Sequence, residues 1–229
     1  GEMSSTTMEN CFQYAGADSH ELSMVFSFHH LKVDFMGNEK WVLVPTDFQK
    51  LKDILFSWQT GMAEHNAWNA VFWCNHDQPR VVSRFGDEGE YWKESAKMLA
   101  GVIHCLRGTP YIYQGEEIGM TNAGFTHLSQ YRDVESLNHF QILRDKGMSE
   151  ESAYNILKVH SRDNSRTPMQ WDGMENGGFT SGTPWISVNP NCGQINAAAQ
   201  VDDPDSIFSY YRTLVQLRKE YDVISQGDF

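Results

Sequence analysis

The chain alternates between short apolar runs and longer amphipathic runs. Short runs that are apolar on both faces are typical of buried strands in a parallel sheet. They occur at 21–28, 67–74 and 109–114. Longer runs with apolar residues at helical spacing predict helices. They occur at 45–60, 91–107 and 206–221. The order strand, helix, strand, helix predicts parallel β/α units and therefore an α/β fold.

A long connection separates the last predicted strand from the last predicted helix. It spans about ninety residues, is rich in Asn, Gly, Ser and Arg, and contains two further predicted helices, at 134–146 and 150–160. A connection of this length inside a compact domain is usually functional. We therefore expect residues of this connection to contribute to a site.

Ionisable side chains follow the predicted strands at their carboxyl ends. The strand at 67–74 runs into Asn75, His76 and Asp77 within the sequence FWCNHDQPR. The sequences FHHLKVD and YQGEE stand at the ends of the other two strands. In a β/α barrel the active site is built at the carboxyl ends of the strands. The sequence therefore predicts that these three strand ends meet in a site.

Composition and charge narrow the classes of partner. The chain has 229 residues, is 40% hydrophobic and carries a formal net charge of -12. This charge disfavours nucleic acids and anionic membranes, so an anionic substrate would need a local basic pocket. The four cysteines have neither zinc-site nor CxxC spacing, which favours reduced thiols and a cytoplasmic location. We expect no membrane span, no metal and no cofactor.

Four motifs, in order, resemble glycoside hydrolase family 13, the family of α-amylases and α-glucosidases. They are GEMSSTT, FWCNHDQPR, GTPYIYQGEEIGM and SRDNSRTPMQWD. The last of them resembles the oligo-1,6-glucosidase branch. The resemblance implies that residues 1–229 are the C-terminal half of a TIM-type (β/α)8 barrel, strands five to eight, with a long helical insertion after strand eight. It also implies that the N-terminal half-barrel and a C-terminal β-sandwich lie outside the chain.

The resemblance assigns roles to individual residues. Glu2 matches the general acid/base, and Asp77 matches the carboxylate that stabilises the transition state through the sugar hydroxyls. His76 matches a neighbouring hydroxyl ligand. Arg162 matches the arginine that borders the −1 sugar site, with Arg166 as a second candidate for that role. In the QGEE turn, Glu116 and Glu117 are expected to brace the loop.

The nucleophile that the family uses is missing from the chain. The family carries it as an Asp within a Gly-x-Arg-x-Asp motif at the end of strand four, and no such motif occurs here. Retaining cleavage of an α-glucoside requires this group as well as the acid/base. We therefore expect the nucleophile to lie upstream of Gly1, and the chain alone to be inactive.

A reversal of charge separates this chain from oligo-1,6-glucosidases. Those enzymes carry acidic residues after the strand that corresponds to the one predicted here at 21–28. This chain has His29 and Lys32 at those positions, and His30 lies between them. Basic groups at a sugar subsite suit a substrate with an anionic phosphate. The resemblance thus implies a phosphorylated disaccharide, with its plain glucosyl unit at −1 and its phosphorylated unit at +1 near these three residues.

Other interpretations of the same residues remain open. The chain could belong to an oligo-1,6-glucosidase or a dextran glucosidase, or to a non-catalytic member of the family that binds a protein partner. It could also be a half-barrel that binds sugar by itself. His76 and Asp77 could form a solvated turn. The group of His29, His30 and Lys32 could be a solvated strand end. Arg162 could form a salt bridge within its loop.

Overall fold

The structure is a computed structural model that describes residues 1–227. Two short strands lie between helices. They are β1 (Ala70–Phe72) and β2 (Thr109–Tyr111). The helices in chain order are α1 (Met8–Ala15), α2 (Phe48–Glu64), α3 (Val81–Phe85), α4 (Trp92–His104), α5 (Val134–Asp145), α6 (Glu150–His160), α7 (Asp163–Arg166), α8 (Ile207–Glu220) and α9 (Asp222–Gln226). Short 3₁₀ turns, such as His29–Lys32 and Glu116–Ile118, connect several of them.

Four extended segments run parallel to one another in chain order. The strands β1 and β2 pair in parallel, with Phe72 opposite Tyr111. Single parallel bridges join Val25 to Asn69 and Glu2 to Phe26. Parallel neighbours place all their carboxyl ends at one edge. The predicted α/β fold is confirmed, whereas the assignment of these segments to barrel strands five to eight stays a prediction.

The predicted elements match the structure unevenly. The helix at 150–160 has the predicted bounds, and the helix at 45–60 begins at Phe48 after its cap Asp47. The strand predicted at 21–28 is reduced to isolated bridges, because the chain turns into a 3₁₀ helix directly after Phe28. Helix α1 is not among the predicted elements, although Thr7 caps it by accepting a hydrogen bond from the Asn10 amide.

Two apolar cores hold the elements together. The larger core packs β1 against α3, α4 and α8, and the Trp73 indole donates a hydrogen bond to the Leu99 carbonyl at 2.8 Å within it. The second core lies between α5 and α6, where Phe140 and Leu157 of the long connection meet Trp41 from the segment before α2. This core packs the long connection against the segment before α2, so the connection can hold side chains in fixed positions.

A buried carboxyl group joins the turn after β2 to α8. Glu116 is 3% exposed and accepts a hydrogen bond from the Tyr211 hydroxyl at 2.8 Å. Its turn is bounded by Gly115 and Gly119, both in the left-handed region. Burial raises the pKa of Glu116 to about 7, although the bond from Tyr211 opposes the shift. This arrangement agrees with a bracing role for the QGEE turn.

Within residues 1–227, the helices are all too short or too polar to cross a membrane.

Substituting Glu116 by Gln should change the pH dependence of stability. The raised pKa means that Glu116 supports the fold below pH 4.5, its ordinary pKa, and loses this contribution as pH rises to about 7. The free energy of unfolding of Glu116→Gln, relative to wild type, should therefore increase over this interval, by up to about 3 kcal/mol.

Urea unfolding of both chains at several pH values measures this difference. The exposed Glu94→Gln on α4 is the matched control and should stay within about 0.5 kcal/mol of wild type. A stability difference for Glu116→Gln that does not change with pH would contradict the interpretation.

Candidate active site

The site is built on the loop that follows β1. The Asp77 amide donates to the Asn75 side-chain oxygen at 2.8 Å, and the Gln78 amide donates to the Asn75 carbonyl at 3.2 Å. These bonds form a tight Asx turn directly after the strand. The turn places His76 and Asp77 at the carboxyl edge of the sheet, as the sequence predicts.

Two arginines reach one oxygen of Asp77. Nη2 of Arg166 lies 2.6 Å from Oδ1, and Nη1 of Arg162 lies 3.6 Å from the same atom. The other oxygen, Oδ2, lies 3.7 Å from Nε2 of His76. The Asp77 side chain is 33% exposed. Its charge is therefore balanced on one side, while Oδ2 stays accessible to a ligand.

The two arginines lie at the ends of α7, one as its N-cap and one as its last residue. Arg162 precedes the helix and Arg166 ends it, while the three residues between them are buried. Arg166 also donates through Nε to the His76 carbonyl at 2.8 Å, so it holds the backbone of the β1 loop as well as its carboxylate. The sequence favoured Arg162 for this position, but the structure gives Arg166 the shorter contact.

A group of charged residues beside Arg162 was missed by sequence reasoning. Nε of Arg162 lies 2.5 Å from Oε2 of Glu135, and Nζ of Lys40 lies 3.5 Å from the same oxygen. Asp133 lies 3.4 Å from Arg166. Burial lowers the pKa of Lys40, although Glu135 opposes the shift. These residues lie in loops and at a helix start without any strand end or periodicity, so the sequence carries no signal for them.

Glu2 lies in the first of the four parallel segments. It pairs with Phe26, and the neighbouring Met3 amide donates to the Phe26 carbonyl at 3.0 Å. The Glu2 side chain is exposed. Within residues 1–227, the charged partners of Asp77 are Arg162 and Arg166, and His76 lies 3.7 Å from its Oδ2.

The predicted basic residues divide into two groups. His29 and Lys32 reach the segment directly after Glu2: His29 Nε2 donates to the Thr6 carbonyl at 2.6 Å, and Lys32 Nζ donates to the Ser4 carbonyl at 3.1 Å. Both line a cavity of about 410 Å³ together with Lys50 and several hydroxyl groups. None of the described residues that line this cavity is acidic.

His30 departs from the prediction. It is 7% exposed, and its Nε2 donates to the Phe72 carbonyl at 2.8 Å, beneath the end of β1. Burial lowers the pKa of His30 to about 4, although the bond with Phe72 opposes the shift. The predicted grouping of His30 with His29 and Lys32 is therefore corrected: it is a neutral core residue near pH 7 and not an accessible cation.

Within the described part of the chain, no group of three or more His, Cys, Asp or Glu side chains is arranged to hold a metal ion.

Comparisons with known proteins agree with the motifs. The alpha-amylase catalytic-domain family matches residues 1–227. The chain is 59% identical over 229 residues to a trehalose-6-phosphate hydrolase of Bacillus subtilis (strain 168), covering 100% of the chain and 41% of that protein. It is 50% identical over 231 residues to a probable oligo-1,6-glucosidase 2 of the same organism, with the same coverage. The crystal structure of Bacillus licheniformis trehalose-6-phosphate hydrolase superposes with a TM-score of 0.97 at 60% identity, over 100% of the chain and 41% of that structure.

The burial of His30 can be measured directly. Histidine side-chain NMR over a pH series, with His30 assigned from a His30→Gln spectrum, should give a pKa of about 4. Protonation would place a charge in the core, and the folded chain should therefore lose stability as pH falls from about 6.5 towards 4. A pKa of about 6.5 or higher would mean an accessible imidazole and would return His30 to the basic group.

Proposed function

The chain belongs to the alpha-amylase family, and from this premise we propose that it supplies part of the active site of a retaining α-glucosidase. The substrate is trehalose 6-phosphate, and the products are glucose and glucose 6-phosphate. The chain spans 41% of the length of the Bacillus subtilis hydrolase it matches, so this activity is proposed for the whole protein. The observation that carries the proposal is that two arginines form ion pairs with Asp77 in the loop after β1.

Asp77 acts on the sugar through Oδ2. The arginines occupy the side of Oδ1, and Oδ2 is free to accept hydrogen bonds from the hydroxyls of the −1 glucosyl unit. Such bonds strengthen as positive charge develops on the ring in the oxocarbenium-like transition state. The fixed guanidinium groups need no rearrangement when this happens, which is the condition for electrostatic catalysis. His76 borders the same oxygen and is proposed as a second hydroxyl ligand.

Glu2 is the proposed general acid/base. This role requires a carboxyl group that holds a proton near neutral pH, which burial or a neighbouring negative charge can supply. Glu2 is exposed within the described residues. We propose that protein outside this chain completes its surroundings and also supplies the nucleophile, since the 229 residues contain no Gly-x-Arg-x-Asp motif. The chain alone is then inactive.

The phosphate is proposed to bind beside His29 and Lys32. Both side chains lie against residues 4–6, which lie two to four residues after the proposed acid/base. An ammonium and an imidazole can hold a phosphate by charge-assisted hydrogen bonds. On a chain with a net charge of -12, a cavity lined by Lys32, Lys50 and hydroxyls is a local exception that favours an anion.

An oligo-1,6-glucosidase is the second candidate, and the 50% identity to a probable member of that group favours it. A non-catalytic, partner-binding role is less well supported, because the chain retains Glu2 and Asp77. The four free cysteines support the proposed cytoplasmic location.

The activity can be tested in a chimera in which this chain replaces the matching part of the Bacillus subtilis hydrolase. The chimera should hydrolyse trehalose 6-phosphate faster than isomaltose, and the chain alone should hydrolyse neither. Asp77→Asn should lower kcat/KM of the chimera by about 10²- to 10³-fold. A preference for isomaltose would favour the second candidate, and activity of the chain alone would contradict the proposed origin of the nucleophile.

The phosphate site is tested by Lys32→Ala in the same chimera. Loss of a charged hydrogen bond costs about 1.5–3 kcal/mol, so kcat/KM for trehalose 6-phosphate should fall roughly 10- to 100-fold. The rate on isomaltose should stay nearly unchanged, since that sugar has no phosphate. Lys40→Ala is the matched comparison, because Lys40 lies beside Glu135 and not in this cavity. Selective loss for Lys40→Ala alone would contradict the proposed position of the phosphate.

A further inference from the structure

Arg80 is a buried charge that bonds backbone instead of carboxylate. Its side chain is 1% exposed. Nη1 donates to the Gln114 carbonyl at 2.5 Å, Nε to the Asn164 carbonyl at 3.3 Å, and Nη2 to the Ser165 carbonyl at 3.2 Å. Taking a guanidinium out of water is unfavourable unless its donors are satisfied. These three bonds give each of its three nitrogens a hydrogen-bond partner.

The carbonyls that Arg80 binds belong to the elements around Asp77. Gln114 follows β2, and Asn164 and Ser165 are the residues of α7 directly before Arg166. The Tyr113 hydroxyl donates to the same Ser165 carbonyl at 3.1 Å, and its ring lies 5.5 Å from the guanidinium carbon of Arg80. Arg80 therefore joins the loop that carries Asp77 to the helix that carries its arginine partners.

We infer that Arg80 is a positioning residue for the pair between Arg166 and Asp77. It fixes the backbone of α7 relative to the β1 loop, so that Nη2 of Arg166 meets Oδ1 of Asp77. The helix is only four residues long and cannot hold its orientation by its own hydrogen bonds. This inference rests on the proposed α-glucosidase activity, but it does not depend on which sugar is the substrate.

Lysine cannot replace the arginine at this position. A guanidinium is a planar fork with donors in fixed directions, whereas an ammonium is a point charge on a flexible stem. The ammonium that Arg80→Lys introduces would not bind carbonyls on both sides at once, so this variant would fold with α7 less well fixed. A misplacement of about 1 Å at a catalytic group can cost about 10²-fold in rate.

The chain provides a matched control in Arg218. This arginine lies on α8 and also donates to three carbonyls, those of His104, Leu106 and Gly108. His104 ends α4, and Leu106 and Gly108 lie between α4 and β2, so all three precede the strand and lie at the opposite edge from Asp77. Arg218→Lys removes the same chemistry from the fold without changing the support of α7.

The test is a double-mutant cycle in the chimera, with p-nitrophenyl α-glucoside as a phosphate-free substrate. Arg80→Lys should lower kcat by about 10²-fold with little change in KM. Adding Arg80→Lys to Arg166→Lys should cause little further loss, because both changes remove the same pair. Arg218→Lys should change kcat by less than about threefold. In the double variant, this fold-change should multiply with the fold-change that Arg166→Lys causes.

Two results would overturn the inference. The first is a loss of kcat in the double variant that equals the product of the losses in Arg80→Lys and Arg166→Lys alone. Such a product is expected if Arg80→Lys acts through a general loss of stability. The second needs no activity: a crystal structure of the Arg80→Lys chain with the 2.6 Å contact between Arg166 and Asp77 unchanged. Failure of the proposed function gives a different result, because Asp77→Asn would then keep full activity. The crystal structure would still decide whether Arg80 positions Arg166.

Discussion

The ion pair between Asp77 and Arg166 is the interaction on which the arrangement of the site depends. Asp77 lies at the end of a central parallel strand, where the geometry of the sheet places it. Its partner arrives from α7, far along the chain, within the long connection after β2. The connection can hold an arginine at a fixed point because α5 and α6 pack with Trp41 in an apolar core.

A second ion pair, which is buried, joins the loop that carries Asp77 to the segment that carries Lys32. Arg84 on α3 contacts Asp34 through Nε and Nη2, at 2.8 and 2.6 Å, and donates through Nη1 to the Gln78 side chain at 2.8 Å. Gln78 follows Asp77, and Asp34 belongs to the same loop as Lys32. Both side chains of the pair are almost fully buried. The pair thus fixes the distance between the group proposed to bind the glucosyl ring and the group proposed to bind the phosphate.

The sequence predicted those parts of the structure that local pattern controls. Helix α6 follows from its periodicity, and the position of Asp77 follows from an apolar strand that ends in polar residues. The length of the first strands was overestimated, because pairing in this part of the sheet is limited to single bridges. Long-range partners could not be predicted: Lys40 and Glu135 are 95 residues apart and meet only through the fold. The burial of His30 could not be predicted from strand alternation either, because both histidines lie in a 3₁₀ turn and not in a strand.

In the proposed mechanism, Asp77 stabilises the transition state and the nucleophile lies outside these 229 residues. Trapping the covalent intermediate of the chimera with 5-fluoro-α-glucosyl fluoride, followed by mass spectrometry of the labelled peptide, tests it most directly. A retaining enzyme carries the sugar as an ester on its nucleophile. We expect the label on an Asp contributed by the Bacillus subtilis part, both in wild type and in Asp77→Asn. Label on Asp77 or Glu2 would contradict the account.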